Sequence, residues 1–172
     1  MAAMAALGGL MMATPASASP TAAPYCGIEW GSGPKSVGQG STGQLVNVRA
    51  GGHECYDRLV FDVRGNVAEG YAVSYVDEVT EDPTGNPVPL RGGAKLQITV
   101  FVPAYDESGQ LTYNPASRTE LVDLTGFQTF RQAAWAGSFE GTTTVGLGVR
   151  ARLPFRVFIL DNRVVVDVAH FW

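Results

Sequence analysis

Two heptapeptides carry most of the information about the fold: DRLVFDV at residues 57–63 and NRVVVDV at residues 162–168. Aligned, they share Arg, Val, Asp and Val, four of seven positions. Both alternate, and in a strand residues two apart share a face. Leu59, Phe61 and Val63 are thereby assigned to the core, together with Val164, Val166 and Val168. The opposite faces carry Arg58, Val60 and Asp62, and Arg163, Val165 and Asp167. Within one strand the Arg and Asp stand about 13 Å apart at Cα, too far to pair. In a parallel arrangement like would meet like. In an antiparallel one, Arg58 faces Asp167, Asp62 faces Arg163, and Val60 faces Val165. Each such cross-strand pair contributes about 0.2–1 kcal/mol, and the wrong register costs a similar amount. The pattern predicts adjacent antiparallel strands, or else the matching strands of two pseudo-symmetric sheets. The competing reading is a good strand sequence that arose twice.

The rest of the chain has the same texture. QLVNVRA (44–50) alternates, and Gly51-Gly52 offers a tight turn. EGYAVSYVDEV (69–79) is followed by a Pro/Gly/Asn-rich loop at 80–93, and AKLQITVFVPA (94–104) is a strand ended by Pro103. DESGQLTYNP (106–115) reads as a turn and a short extended piece. The segment 127–152 begins with an Ala-rich stretch that suits a short helix, and its Thr/Val/Gly run after Glu140 reads as strand. Residues 154–172 close the chain as two strands around a tight turn at Asp161-Asn162. About eight or nine short strands without a helical period predict an all-β antiparallel sandwich or barrel.

The first 18 residues carry no charge and end in Ala16-Ser17-Ala18, a small-x-small pattern that fits a signal peptidase site. Their apolar stretch, residues 2–13, is too short for a permanent membrane span, and no later segment is apolar enough. No Lys or Arg precedes that stretch; the first basic residue is Lys35. Residues 1–18 are therefore read as an export signal, 19–44 as an extended Gly/Ser/Pro-rich arm, and 45–172 as one domain. The net charge of −4 argues against nucleic acid or an anionic membrane as main partner. In an exported chain the two cysteines, Cys26 and Cys55, are expected to form a disulfide. It would stabilise by roughly 3–4 kcal/mol on the chain-entropy estimate. APYC at 23–26 does not fit a lipobox. With His53 and His170 the only histidines, a metal or redox site lacks ligands.

Three stretches taken in order, YDRLVFDVRG…EGYAVSYVDEV (56–79), GSFEGTTTVGLGVRARLPFRVF (137–158) and LDNRVVVDVAHFW (160–172), resemble the AMIN-like domain of exported actinobacterial proteins. That domain is similar to the AMIN module of N-acetylmuramoyl-L-alanine amidases and some secretins. The resemblance covers residues 45–172. It implies a β-sandwich of two similar sheets, and a noncatalytic module that targets proteins to the cell envelope by contacting peptidoglycan. The chain shows no amidase, lytic or secretin domain, and the arm with its cysteine is not part of the AMIN core.

Catalytic constellations are thin. His53 and Cys55 would have to escape the disulfide to act together, and His170 near Asp167 has no serine in a G-x-S-x-G context. Two histidines 117 positions apart make a poor zinc site. Glu78, Glu81 and Asp82 read as a solvated turn. The chain is read as no enzyme, without cofactor or metal. For binding, glycans are held by aromatic stacking plus a few polar groups, and the candidates are Trp135, Phe139, Arg150 and Arg152. Against this stands the reading in which the two aromatics are core and the arginines ordinary surface. Glycines 141, 146 and 148 suit a bulge, a bend or close backbone approach, and Glu140 suits a turn. The leading expectation is a secreted, disulfide-pinned envelope module that binds peptidoglycan. The alternatives are a module that recruits another exported protein through a sheet edge, and a carrier of a small ligand between the sheets.

Overall fold

The computed structural model describes residues 23–38, 42–65 and 70–172; the expected export signal at 1–18 lies outside them. Among the described residues there are eleven strands and one three-residue 3-10 turn, Tyr25–Gly27. The strands are β1 (Lys35–Gly38), β2 (Gln44–Gly52), β3 (Tyr56–Arg64), β4 (Gly70–Val76), β5 (Val79–Thr80), β6 (Pro87–Val88), β7 (Ala94–Val100), β8 (Phe130–Phe139), β9 (Thr142–Val149), β10 (Phe155–Ile159) and β11 (Arg163–Ala169). They form a five-stranded sheet, β1-β4-β7-β9-β8, a four-stranded sheet, β10-β11-β3-β2, and the β5–β6 pair, all antiparallel. The strands beyond the expected eight or nine are β1 in the arm and the two-residue β5 and β6 in the proline-rich loop.

The echoed heptapeptides are neighbours. β3 and β11 pair antiparallel with Arg58 opposite Asp167, Val60 opposite Val165 and Asp62 opposite Arg163. Both strands sit in one sheet, so the alternative of matching strands in two sheets does not describe them. Their inner residues, Leu59, Phe61, Val164, Val166 and Val168, are fully buried. They meet Leu96, Ile98 and Val100 of β7 and Val145, Leu147 and Val149 of β9 in one core cluster. Phe61, Phe130 and Phe155 are the largest side chains filling it. Burying each such side chain contributes about 1.5–3 kcal/mol.

Three local expectations give way. Gly51 and Gly52 lie inside β2, and the turn falls at Glu54-Cys55, where the His53 N–H donates to the Tyr56 carbonyl at 2.9 Å. The Ala-rich segment after residue 127 is strand β8, not a helix. Ladder pairing with β9 over residues 130–139 overrides a helical preference worth only tenths of a kcal/mol per residue. β8 lies at a sheet edge, and the loop from β7 covers it: the Leu121 N–H reaches the Ala133 carbonyl at 2.8 Å, and the Trp135 N–H reaches Arg118 at 2.7 Å. Lastly, the sheets are unequal, five strands against four.

The glycine-rich run has a packing cause. The outer face of β9 lies under residues 79–91. A Cβ on Gly146 would stand 2.8 Å from the Leu90 Cδ1, and one on Gly148 would collide with the Arg91 carbonyl. Because β9 is held between β7 and β8, it has nowhere to retreat. Gly148→Ala is expected to cost about 2–3 kcal/mol in urea unfolding, whereas Gly51→Ala, with open space around it, should be near neutral. Glu140 (φ 47°) and Gly141 (φ 82°) are the two residues of the β8–β9 turn. Both take the left-handed values that a right-twisted hairpin demands.

Candidate functional site: an arginine–aspartate sheet face

The alternation that buries Phe61 and Val166 turns Arg58, Asp62, Arg163 and Asp167 outward on the four-stranded sheet. Neighbouring strands add to this face in register: Arg156 of β10 lies opposite Asp167, Phe158 opposite Val165, Arg49 of β2 opposite Val60, and Asn47 opposite Asp62. The result is two triplets, each an aspartate between two arginines. Around Asp167, the Arg58 Nε donates to Oδ1 at 2.6 Å and its Nη2 to Oδ2 at 2.9 Å, while the Arg156 Nε donates to Oδ2 at 2.8 Å. Around Asp62, the Arg49 Nε donates to Oδ2 at 2.8 Å and its Nη2 to Oδ1 at 3.1 Å. The Arg163 Nε reaches Oδ1 at 3.2 Å, and Asn47 adds an amide bond at 3.2 Å. A pseudo-twofold at the Val60–Val165 pair relates the triplets, which stand about 13 Å apart along the strands.

The triplets differ in environment. Asp167 is wholly buried (0%) beneath Arg58 and Arg156, whereas the Asp62 side chain is 23% exposed. Aromatic planes hold the first triplet. Arg156 lies 5.5 Å from the Trp30 ring centroid, 5.3 Å from Tyr56 and 5.1 Å from Phe158. Arg58 lies 5.2 Å from Tyr56 and 5.4 Å from Phe158. Such contacts contribute about 0.5–1 kcal/mol at exposed sites and more when desolvated. The Asp167 triplet keeps one net positive charge, because one carboxylate faces two guanidiniums; around Asp62 the balance is even, since the Arg163 Nη1 also meets the exposed Asp161 carboxylate at 3.6 Å.

Pairing shifts titration. The Asp167 hydrogen bonds raise the Arg58 guanidinium further above its ordinary value. The Arg49 hydrogen bonds, with help from Asn47 and Arg163, hold the Asp62 carboxyl below the ordinary range despite burial. A depressed folded value means that this stabilisation is complete above the unfolded value near 4. It is lost as pH falls through the lower folded value. Asp62→Asn is therefore expected to destabilise by about 1 kcal/mol at pH 7. Urea midpoints of the two proteins should converge as pH drops from 4 towards 2.

The four expected binding residues do not converge. Trp135 is half-buried against the core, its ring 5.7 Å from Tyr113, beside a cleft of about 320 Å³ that Arg118 and Tyr105 also line. Phe139 is exposed at the β8–β9 turn. Arg150 and Arg152 lie beyond the other end of β9, about 26 Å away along the strand. There the Arg150 Nη2 donates to the His170 carbonyl at 2.5 Å, and Arg152 stacks on Tyr75 at 4.8 Å. Cys26 and Cys55 form a disulfide that ties the 3-10 turn to the β2–β3 turn.

His170 meets Asp57 rather than Asp167. The His170 Nε2 lies 3.1 Å from the Asp57 Oδ1, and its Nδ1 3.2 Å from the Glu54 carbonyl. The Asp57 Oδ2 accepts the N–H groups of Thr129 at 2.5 Å and Phe130 at 2.9 Å. The cluster is buried and joins the end of β11, the start of β3 and the start of β8. His53 stacks on Tyr56 at 4.6 Å. Glu81 bonds Arg118 at 2.7 Å, and Asp82 accepts from the Thr144 hydroxyl at 3.0 Å. Among the described residues, no group of three or more His, Cys, Asp or Glu could hold a metal ion, and no helix is long and apolar enough to cross a membrane.

Sequence reasoning missed Arg49, Arg156, Tyr56 and Phe158. The available signal was the alternation in VNVRA and FRVF, each placing an arginine on the polar face. Which strands flank the echoed pair is not written in either stretch.

Fold and face together define an all-β, disulfide-pinned sandwich that presents an ion-paired sheet surface. The chain belongs to the AMIN-like domain family, whose model matches residues 43–170. It is thus a member of a cell-envelope-related family whose domains are generally noncatalytic binding or targeting modules. No curated protein and no solved structure matches the chain.

Proposed function

We propose that the protein is an exported, noncatalytic envelope module that binds peptidoglycan through the outer face of the four-stranded sheet. The observation carrying this reading is the pair of Arg–Asp–Arg triplets, each fixed by a bidentate guanidinium, of which the Asp167 triplet is stacked on aromatic rings and keeps a surplus positive charge. Peptidoglycan presents carboxylates at intervals along a stiff glycan. Guanidinium groups already immobilised on a flat sheet lose little side-chain entropy in meeting them. The disulfide is compatible with an oxidising compartment, and the family is envelope-related. A ligand carried between the sheets finds less support, since Phe61, Phe130 and Phe155 fill that space.

Cosedimentation of the purified chain with insoluble peptidoglycan across a salt series tests the reading. Saturable binding is expected at moderate salt, weakened about five- to tenfold by Arg49→Ala with Arg163→Ala. Absence of binding at every salt concentration, or a variant that binds like wild type, would overturn it. A second reading rests on edge strand β2. The His53–Tyr56 bond sets the ladder so that Val48 and Ala50, opposite Phe61 and Leu59, turn their N–H and C=O groups away from β3. An added strand from another exported protein would pair there, and that reading gains if capture survives the arginine substitutions.

A further inference from the structure

The two main sheets have four edge strands between them, β1, β8, β10 and β2, and three of these edges are guarded. On β8, beside the loop bonds already described, the Asp82 N–H reaches the Ala136 carbonyl at 2.7 Å. On β10 the Phe155 N–H donates to the Gly31 carbonyl at 3.0 Å, and the Val157 carbonyl accepts from the Tyr71 hydroxyl at 3.2 Å. β1 is only four residues long and carries Lys35; short, charged edges resist strand addition. β2 is guarded at one end alone. There the Leu45 N–H donates to the Pro103 carbonyl at 2.8 Å, and the Leu45 carbonyl accepts from the Thr112 hydroxyl at 2.7 Å. Further along, Val48, Ala50 and Gly52 stand opposite Phe61, Leu59 and Asp57 at the non-hydrogen-bonded positions of the ladder, with their N–H and C=O groups turned outward. Among the described residues none of these outward groups has a partner. Arg49, the charge that would guard this edge, is folded back on Asp62 of β3 by its two bonds. Gly51 offers no side chain and has open space around it.

The geometry points to a second copy of this chain as the occupant of that edge, the two β2 strands pairing antiparallel about a twofold axis at Ala50. This dimer rests on β2 being a strand acceptor, the second reading given for the protein, and names what fills the edge. Outward groups must meet outward groups, so the axis falls on a residue rather than between two. An axis at Arg49 sets two arginines directly opposite each other and draws the covered Leu45 against His53. An axis at Gly51 sets Arg49 against His53. At Ala50 the seam runs from Asn47 to His53 and uses the whole open stretch: Arg49 meets Gly51, Val48 meets Gly52, and Asn47 meets His53. No like charges stand opposite, and the three outward residues of each copy exchange about six main-chain hydrogen bonds. Arg49 enters the seam already paired with its own Asp62. β2 thus supplies what its own edge requires of a partner, a residue without a side chain opposite both Arg49 and Val48. Two four-stranded sheets become one of eight, with four Arg–Asp–Arg triplets on one face. For a ligand that repeats along a polymer, this raises avidity without any new contact.

Sedimentation equilibrium of the purified chain over a hundredfold range of concentration is expected to show monomer passing to dimer. Ala50→Pro removes an N–H of the seam and none of the β3 ladder, so it should weaken association at least tenfold while leaving the urea midpoint unchanged. Gly51→Arg, set in open space and opposite Arg49 of the other copy, should weaken it similarly. Cross-linking reads the register. Arg49→Cys combined with Gly51→Cys places thiols of different copies at a non-hydrogen-bonded pair, with Cα atoms about 4.5 Å apart, and air oxidation should yield a covalent dimer. Arg49→Cys alone should stay unlinked; its cross-linking would move the axis to Arg49 and overturn the assignment. A wild-type chain that is monomeric throughout, or a dimer that neither Ala50→Pro nor Gly51→Arg weakens, would overturn it as well. Should the wild type be monomeric while Ala50→Pro abolishes capture of another exported protein, the edge accepts a strand and only the second copy is wrong. Capture unchanged by Ala50→Pro would remove β2 as a strand acceptor altogether.

Discussion

Asp57→Ala is expected to destabilise the protein by about 3–5 kcal/mol, read as a fall in the urea midpoint at pH 7. Asp57 is 1% exposed, and its carboxylate serves the consecutive N–H groups of Thr129 and Phe130 and the ring of His170, from two separate parts of the chain. Removing it strands the Thr129 and Phe130 N–H groups, both in buried residues, and leaves the His170 Nε2 without its carboxylate partner. Strand β8 begins at Phe130 and β11 ends at Ala169, so the loss loosens both sheets where they meet. Asp57→Asn keeps one acceptor oxygen and should cost roughly half as much. A loss below 1 kcal/mol for the alanine variant would mean that the cluster is an ornament of the fold rather than its joint.

The second large effect concerns Asp167. Replacing both Arg58 and Arg156 with methionine leaves a carboxylate of 0% exposure without compensation, and should cost about 3–5 kcal/mol. Adding Asp167→Val to that double variant removes the stranded charge and should recover most of the loss, since apolar replacement of a whole buried ion cluster is often neutral. Single variants should be milder, because each leaves one arginine on the carboxylate. Urea unfolding of the four proteins checks the pattern. A double variant no worse than either single one would contradict the view that the buried Asp167 depends on its two arginines for its hydrogen bonds.

These two sites differ in how far sequence could reveal them. The register of β3 on β11 was legible, because each heptapeptide places opposite charges four residues apart and only the antiparallel arrangement joins unlike ends. The arginines that complete the triplets were not, because Arg49 and Arg156 lie one to a strand and nothing local states which strand lies beside which. β8 was misread for a related reason. Irregularities between Phe130 and Gln132 and between Trp135 and Gly137 break its period of two, and its alanines carry a helical preference that pairing overrides. The glycines of β9 pointed to close approach without saying to what; the answer, the Leu90–Arg91 segment, comes from more than fifty residues upstream. Asp57 was hidden inside the very stretch that gave the register away, since it takes a core-facing position of the alternation, where the end of the sheet supplies His170 and two N–H groups in place of apolar side chains.

The central claim is that the sheet face carrying both triplets is the surface that meets the cell wall. Its most direct test follows the Nε–Hε resonances of the arginines while soluble peptidoglycan fragments are added. The account predicts that Arg49, Arg58, Arg156 and Arg163 shift together with one saturation curve, while Arg91 and Arg118, paired with Glu120 and Glu81 elsewhere, stay in place. Movement of Arg91 or Arg118 in the absence of the other four, or no movement at all, would contradict it.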